Sequence, residues 1–158
     1  MTPFPILLSI VTVVKDERDQ LRSLVEGLCA SLPGLVSDWE VIIVDNASRD
    51  GSLEVYRELV GASGLPNLQV FALTKEVDGD TANSVGLENA LGDYIAFIDP
   101  LADDIAFLAT MLESAMGGSD VVFASNERKP KQGAAYRACY QVFNMLYARL
   151  NGVDLDRD

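Results

Sequence analysis

Acidic and amide side chains stand at the points where apolar segments of this sequence end. The clearest example is EVIIVDNASRDGS (residues 40–52), in which the apolar run 41–44 leads directly into Asp45 and Asn46. A carboxylate at such a position accepts hydrogen bonds from a base or a ribose. Asp99 ends another apolar segment in the same way, and oxygen ligands of this kind hold divalent cations. Residues of these types can serve a nucleotide and a cation, and they also occur as polar strand ends and, at Asp99-Pro100, as turns.

Apolar, β-branched segments alternate with segments of helical spacing along the chain. The predicted strands span residues 6–14, 40–44, 68–73, 94–98 and 121–124. Apolar residues at three- and four-residue steps predict helices between them, and a long last helix is predicted around residues 136–150. The alternation predicts an α/β fold, a three-layer αβα sandwich with a mostly parallel sheet and right-handed crossovers.

The carboxyl ends of parallel strands lie along one edge of the sheet, and ligands bind there in open α/β sheets. The five predicted strands deliver to this edge, in order, Lys15, Asp16 and Glu17; Asp45 and Asn46; Lys75, Glu76 and Asp78; Asp99, Asp103 and Asp104; and Ser125 and Asn126, followed by Arg128, Lys129 and Lys131. Acids gather at this edge, and a basic cluster follows the last strand. A cation held by the acids would bridge the pyrophosphate of a sugar nucleotide and stabilise a leaving diphosphate as a Lewis acid.

Composition excludes several classes of protein and of site. The formal net charge is −12 and the pI is about 4.2, which argues against nucleic acid as a partner because that requires a basic surface. The sequence contains no His, so His-based triads and His-ligated zinc are excluded. The turn after the first predicted strand has no glycine, and no Gly-Lys-Ser/Thr occurs. Both facts argue against a Rossmann dinucleotide site and a P-loop.

The sequence also favours a cytoplasmic location. Its two cysteines, Cys29 and Cys139, are flanked by apolar residues, as expected of buried thiols in a reducing compartment. The apolar start of the chain lacks the basic region and the cleavage site of a signal peptide. No run reaches the roughly 18 apolar residues of a membrane helix. We therefore expect a soluble, cytoplasmic domain.

Four segments occur together in a recognisable order. They are LSIVTVVKDE (8–17), EVIIVDNASRDGS (40–52), TANSVGLENALGDYIAFID (81–99) and SDVVFASNERK (119–129). Together they resemble the N-terminal, nucleotide-binding half of family-2 glycosyltransferases, which have the GT-A fold. The last segment is similar to the fifth strand of the polyprenyl-phosphate sugar transferases. The resemblance implies a nucleotide-diphospho-sugar donor, an inverting transfer and an acceptor such as a lipid phosphate or a polysaccharide.

The same resemblance implies roles for individual residues. The implied nucleotide contacts are Thr12 and Val14 in the base pocket, Glu17 near the ribose or base, Asp45 on the base, and Ser84 where the family usually has Asn. Asp99 would be the first acid of an Asp-x-Asp motif that binds Mg²⁺ or Mn²⁺. Arg128 and Lys129 would contact the pyrophosphate or a lipid phosphate, so that membrane association would arise through a lipid-linked acceptor.

Two departures from the family pattern qualify these expectations. Leu101 stands where the second acid of the metal motif belongs, and Asp103 or Asp104 is the expected substitute. We also expect residues 1–158 to form a single nucleotide-sugar-binding domain without the usual acceptor-binding half, either as a truncated piece of such an enzyme or as a protein that has lost that half, and we identify no convincing general base. The alternative is therefore a non-catalytic nucleotide-binding or protein-interaction module. Apolar residues on several faces of the last helix further predict a contact with a missing half or with a second copy in a homo-oligomer.

Overall fold

The computed structural model describes residues 3–124 of the chain. The elements within that range are, in order, β1 (Phe4–Val14), α1 (Arg18–Ser31), a 3₁₀ turn (Leu32–Gly34), β2 (Val36–Asp45), α2 (Ser52–Leu59), β3 (Leu68–Ala72), α3 (Gly79–Asn89), β4 (Tyr94–Phe97), a second 3₁₀ turn (Ile105–Phe107) and α4 (Leu108–Met116). The strands form one parallel sheet in the order β3-β2-β1-β4. These elements lie within one compact unit, Met1–Val122. The predicted alternating α/β fold is confirmed.

The two central strands, β1 and β2, are the most deeply buried part of the sheet. Each runs for ten or more residues, and their middle residues are almost completely inaccessible to solvent. A parallel sheet covered by helices on both faces requires such continuous apolar strands rather than alternating ones. The apolar segments 6–14 and 41–44 meet this requirement.

Helices cover both faces of the sheet, as a three-layer sandwich requires. Apolar residues of α1, α2 and α4 pack on the face formed by side chains such as Ile10, Val41 and Ile43. Side chains of α3 pack on the opposite face, against Val11 and Ile42. Successive residues of a strand point to opposite faces, so neighbouring positions in β1 and β2 belong to different cores.

Two glycines allow α3 and the turn after it to approach β1. A Cβ on Gly86 would lie 2.2 Å from Val11 Cγ1, and one on Gly92 would lie 2.6 Å from the backbone nitrogen of Ser9. Both distances are far below normal van der Waals contact, so any larger residue requires the helix or the strand to move. The glycines of the segment 81–99 therefore serve close packing of α3 on the sheet.

A buried carboxylate in the middle of β2 connects the two central strands to the turn before β4. Glu40 is 7% exposed and accepts hydrogen bonds from Ser9 Oγ at 2.5 Å, Gln69 Nε2 at 2.9 Å and the Leu91 backbone N–H at 2.7 Å. The Ser9 hydroxyl in turn accepts from the Gly92 N–H at 2.8 Å. Burying a carboxylate is costly unless its oxygens are hydrogen-bonded, and here both are.

The predicted fifth strand is wrong for the residues that the structure describes. Residues 121–124 have no regular secondary structure, and Val121 and Phe123 are 68% and 92% exposed. A strand exists only where a neighbouring strand takes up its backbone hydrogen bonds, and β-branched composition alone does not supply one. The predicted last helix lies outside the described residues.

The prediction that Cys29 is a buried thiol is confirmed. It is a free, buried thiol on α1, and burial raises its pKa to about 11, against a small opposing effect of a backbone hydrogen bond. Because the thiolate is the reactive form, this side chain is chemically inert at neutral pH. The second cysteine, Cys139, lies outside the described residues.

Candidate functional site

The carboxyl ends of β1 and β2 lie side by side in register. Val14 pairs with Asp45 across β1 and β2, and Asp45 pairs with Ala72 across β2 and β3. The loops that leave these strands therefore start from neighbouring positions on one edge of the sheet. This is the edge at which the sequence places the candidate ligand-binding residues.

Asp45 is held at this edge by one hydrogen bond and is almost fully buried. Its Oδ1 accepts from the Ser48 backbone N–H at 2.8 Å, which turns the chain directly after the strand. The side chain is 4% exposed, and Oδ2 has no hydrogen-bond partner in the protein. One oxygen of the carboxylate thus shapes the loop, and the other is free to accept a further hydrogen bond.

Three buried polar atoms near this strand end lack hydrogen-bond partners in the described part of the chain: Thr12 Oγ1, Asp45 Oδ2 and the Tyr56 hydroxyl. Thr12 lies two residues before Val14, the register partner of Asp45, so Thr12 and Asp45 point to the same face of the sheet. Tyr56, from α2, packs into the core on that face. Buried polar groups are nearly always hydrogen-bonded, and an unsatisfied one costs about 1–3 kcal/mol. The presence of three unpaired polar atoms at one strand end indicates that this position is suited to polar contacts.

The loops that follow β1 and β2 are bonded to each other. The Asp16 backbone N–H donates to Ser48 Oγ at 2.9 Å, and the Arg49 N–H donates to Asp16 Oδ1 at 2.7 Å. The Arg18 N–H donates to Asp50 Oδ2 at 2.7 Å. Asp16 adopts a left-handed backbone with φ of 54°, a conformation that Asp and Asn tolerate better than most residues.

The other carboxylate oxygen of Asp50, Oδ1, accepts hydrogen bonds from Ser52, the first residue of α2. Asp50 Oδ1 accepts from the backbone N–H of Ser52 at 3.0 Å and from its hydroxyl at 2.5 Å. Desolvation acts to raise the pKa of Asp50, but the hydrogen bonds from Ser52 and the Arg18 N–H outweigh it, and the net pKa lies below its ordinary value. Asp50 therefore stabilises the turn that leads into α2, whose N-cap residue is Gly51.

Asn46 connects the end of β2 to the loop before α3. Its Nδ2 donates to the Val77 carbonyl at 2.8 Å, and its Oδ1 accepts from the Val77 N–H at 2.9 Å. Nearby, Lys15 Nζ and Glu76 Oε1 form an ion pair at 2.6 Å. Both partners of this pair are substantially exposed, so it adds about 0–1 kcal/mol. The amide contacts of Asn46 therefore fix this loop more firmly than the ion pair does.

Asp78 starts α3, and Ser84 lies one turn further along that helix. Asp78 accepts from the Thr81 backbone N–H at 2.9 Å and from the Thr81 hydroxyl at 2.8 Å, which lowers the pKa of Asp78, with the backbone bond as the larger cause. Ser84 is exposed, and its hydroxyl donates to the Asp80 carbonyl at 2.9 Å. The nucleotide contact predicted for Ser84 stays a prediction.

Asp99 and Asp103 are brought together in the loop after β4. The Asp99 backbone N–H donates to Asp103 Oδ2 at 2.8 Å, and Asp99 Oδ1 accepts from the Leu101 N–H at 2.9 Å. Both acids are exposed, as is Leu101 at 49%. Asp104 caps the following 3₁₀ turn through the Ala106 N–H.

The donor set of this loop bears on the expected cation. Within residues 3–124, no group of three or more His, Cys, Asp or Glu side chains is arranged to hold a metal ion. Mg²⁺, however, is commonly bound by only one or two carboxylates together with substrate phosphates and water. Asp99 and Asp103 fit that smaller requirement, because each has one carboxylate oxygen not used in the hydrogen bonds above.

The predicted site residues thus fall into three groups. Thr12, Val14 and Asp45 are buried together at the ends of β1 and β2, and half-buried Glu17 directly precedes α1. Ser84 lies on α3, and the two acids of the predicted metal site lie after β4. Arg128 and Lys129 lie outside the described residues, as do Ser125 and Asn126.

Sequence reasoning missed the backbone contacts of Asn46 and the buried, unpaired hydroxyl of Tyr56. Asn46 stands where the family pattern has a second Asp, and the amide at this position was the only available signal of a backbone contact. Tyr56 looks like one member of an apolar helix face with Leu59, and its hydroxyl gives no separate signal in the periodicity.

Comparison with known proteins assigns the chain to a family. The family model described as Glycosyl transferase family 2 matches residues 9–155. The chain belongs to glycosyltransferase family 2. As a family-2 member it has the expected parallel sheet with helices on both faces, and its strand-end acids occupy the edge at which open α/β sheets bind ligands.

Similar curated proteins within this family are polyprenyl-phosphate sugar transferases. The undecaprenyl-phosphate 4-deoxy-4-formamido-L-arabinose transferases of Pseudomonas fluorescens (strain SBW25) and Pseudomonas savastanoi pv. phaseolicola are 29% and 30% identical to it, each over 97% of this chain and 45% of its own length. The dodecaprenyl-phosphate galacturonate synthase of Rhizobium johnstonii is 28% identical over 94% of this chain and 44% of its own. The chain thus spans about 45% of the length of these relatives. None of the helices in residues 3–124 is long and apolar enough to cross a membrane.

Proposed function

We propose that this chain is the nucleotide-sugar-binding part of an inverting glycosyltransferase that transfers a sugar to a polyprenyl phosphate. The observation that carries the proposal is the pairing of Val14 with Asp45, which places Thr12, Val14 and the buried carboxylate together at the carboxyl edge of the sheet. Membership of family 2 and the names of the relatives support the donor and the lipid phosphate acceptor. We also propose a cytoplasmic location, at the membrane face where such an acceptor is available.

In this proposal the described residues bind and orient the donor. Asp45 accepts a hydrogen bond from a base N–H through its carboxylate, while Ser48 keeps that carboxylate in place through Oδ1. The Asn46–Val77 contact and the bonds between the β1 and β2 loops keep the surroundings of the base rigid. A preorganised site of this kind loses less conformational entropy on binding.

Asp99 and Asp103 would hold a divalent cation beside the diphosphate. The cation, when bound, supplies Lewis-acid stabilisation of the negative charge that develops on the leaving diphosphate. Such a cation also explains how a chain with a net charge of −12 accommodates an anionic donor. The backbone bonds of both acids within the loop fix their positions before any ligand arrives.

A second candidate function is a nucleotide-binding module without catalysis. Leu101, half-exposed in the loop between Asp99 and Asp103, is the observation that favours it, because this position carries the second metal-binding acid in the family pattern. The two functions differ in whether diphosphate binding depends on a divalent cation.

Calorimetric titration of the chain with UDP, GDP and their sugars, with and without Mg²⁺ or Mn²⁺, tests the proposal. We expect at least one diphosphate to bind. Asp45→Asn should weaken binding by about 10- to 100-fold, because the amide keeps the size of the side chain but a charge-assisted hydrogen bond of about 1.5–3 kcal/mol is lost. Asp38→Asn is the matched control, since Asp38 is exposed on the same strand, nearer its amino end.

The metal arm of the titration separates the two functions. A cation that strengthens diphosphate binding in the wild-type chain, with the gain lost in Asp99→Asn and Asp103→Asn, supports the transferase. Binding that is indifferent to the cation supports the module. If no diphosphate binds under any condition, both functions fail for this chain.

A further inference from the structure

The inner face of α2 carries a hydroxyl that packing alone does not require. Tyr56 is 2% exposed, and its ring packs in the core beneath α2 together with Leu59. Phe would fill the same space without burying a polar atom. A buried hydroxyl is unfavourable unless it is hydrogen-bonded, so the oxygen of Tyr56 points to a specific partner.

The carboxylate of Asp45, at the end of β2, is a suitable partner because it also has a buried oxygen without a hydrogen bond. Asp45 Oδ2 and the Tyr56 hydroxyl are both buried, and neither has a hydrogen bond to another protein group. Asp45 is on the face of the sheet that α2 covers, as its register with Val14 requires. A phenol is a donor and an ionised carboxylate has only acceptor sites, so the two groups are complementary.

We propose that Tyr56 is a positioning residue of the nucleotide site, whose hydroxyl donates a hydrogen bond to Asp45 Oδ2. With Ser48 holding Oδ1, the carboxylate is then fixed at both oxygens. An ionised carboxylate has about four acceptor sites, so acceptor capacity for a base N–H remains after both bonds are made. The inference rests on the proposed function only in its claim about nucleotide affinity.

The electrostatic surroundings keep the hydroxyl protonated, as a donor must be. Burial is the largest cause that raises the pKa of Tyr56, followed by the interaction with the carboxylate of Asp45, with a smaller effect of Asp50.

A double-mutant cycle on unfolding tests the contact without any nucleotide. Urea unfolding is measured for the wild type, Tyr56→Phe, Asp45→Ala and the double variant. Tyr56→Phe should raise the unfolding equilibrium constant about 10-fold in the wild type and less than about 2-fold in the Asp45→Ala background, because a hydrogen bond to a charged group is lost only in the first case. Equal effects in the two backgrounds would overturn the contact.

Nucleotide binding, measured where all variants are fully folded, tests the positioning role. Tyr56→Phe should raise the Kd of the best-binding diphosphate about 5- to 10-fold, and should have no further effect in the Asp45→Ala background. Tyr94→Phe is the matched control, because Tyr94 packs in the same core but pairs with Leu8, far from Asp45 along the sheet. A Kd unchanged by Tyr56→Phe, or changed equally by Tyr94→Phe, would overturn the positioning role. If the wild type binds no diphosphate, the proposed function and the positioning role fail, and the unfolding cycle still decides the contact.

Discussion

The side-chain amide of Asn46 forms two hydrogen bonds with the backbone of a single residue, Val77. Nδ2 donates to the Val77 carbonyl oxygen and Oδ1 accepts from the Val77 N–H. This arrangement requires a side chain that is donor and acceptor at once, which an amide is and a carboxylate is not. The residue that the family pattern usually has here, Asp, would direct a negative charge at a carbonyl oxygen.

Asn46→Asp should therefore destabilise the protein at neutral pH, by about 1–3 kcal/mol, because the Val77 carbonyl loses its donor and faces a carboxylate. The same environment would raise the folded-state pKa of the new Asp above its unfolded value of about 3.9. A raised pKa favours the folded state below the unfolded pKa, so the deficit relative to wild type should shrink as the pH falls. Urea unfolding from pH 7 to pH 4 measures this, and Asn83→Asp on α3 is the control. A deficit that does not change with pH would contradict the role of the donated hydrogen bond.

Gly86→Ala should destabilise the protein by about 1–3 kcal/mol, since the added methyl group would overlap Val11 Cγ1 and force α3 from the sheet. Gly27→Ala provides the opposite case. A Cβ at Gly27, on α1, meets nothing within 4 Å, so the better helix propensity of Ala should stabilise by about 0.5–1 kcal/mol. Chemical denaturation measures the change in the free energy of unfolding for both variants. A Gly86→Ala variant that is stabilised, as Gly27→Ala should be, would refute the close approach of α3.

Glu40→Gln should lower the free energy of unfolding by about 1–3 kcal/mol. One of the two oxygens that accept from Ser9, Gln69 and Leu91 is replaced by an amide NH2 group, which cannot accept a hydrogen bond. The variant leaves the shape of the side chain unchanged, so the loss reports on hydrogen bonding rather than on packing. Glu88→Gln, an exposed site on α3, is the matched control and should be neutral. Thermal unfolding measures both, and a neutral Glu40→Gln would show that the buried network does not need the charge.

Asp50 should contribute a pH-dependent part of the stability. Its folded-state pKa is lowered, so its contribution is present above the unfolded value of about 3.9 and is lost as the pH falls through the folded pKa. Asp50→Asn should accordingly be less stable than wild type at pH 7, and the difference should decline below about pH 4. Melting temperatures from pH 7 to pH 2 check this, with Asp38→Asn as the control. A constant difference across this range would mean that the ionised form is not preferred on folding.

The parts of the fold that the sequence predicted well are those fixed by burial. The runs 6–14 in β1 and 41–44 in β2 are covered on both faces, so most residues in them must be apolar, and the pattern is clear. The segment 121–124 has a similar composition but no strand partner among the described residues, and composition cannot report whether a partner is present. The half-buried strands β3 and β4 were predicted to within one residue of their ends as well, so the local signals located each of the four strands that pair within residues 3–124.

The candidate site was predictable in its position but not in its connections. An acid after an apolar strand, such as Asp45, is visible in one segment of sequence. The network around Glu40 joins residues 9, 40, 69 and 91, and no local pattern relates positions so far apart. The polar role inferred for Tyr56 was hidden for a related reason, since its ring satisfies the helix periodicity by itself.

The bonds between the loops after β1 and β2 have a consequence for protein engineering. Asp16, Arg18, Ser48, Arg49 and Asp50 satisfy one another across the two loops. A loop transplanted alone from a relative that lacks these accepting side chains would therefore leave backbone donors of the other loop without acceptors. Residues 15–18 and 46–52 constitute one exchangeable cassette, and a chimera intended to change donor preference should replace both segments together.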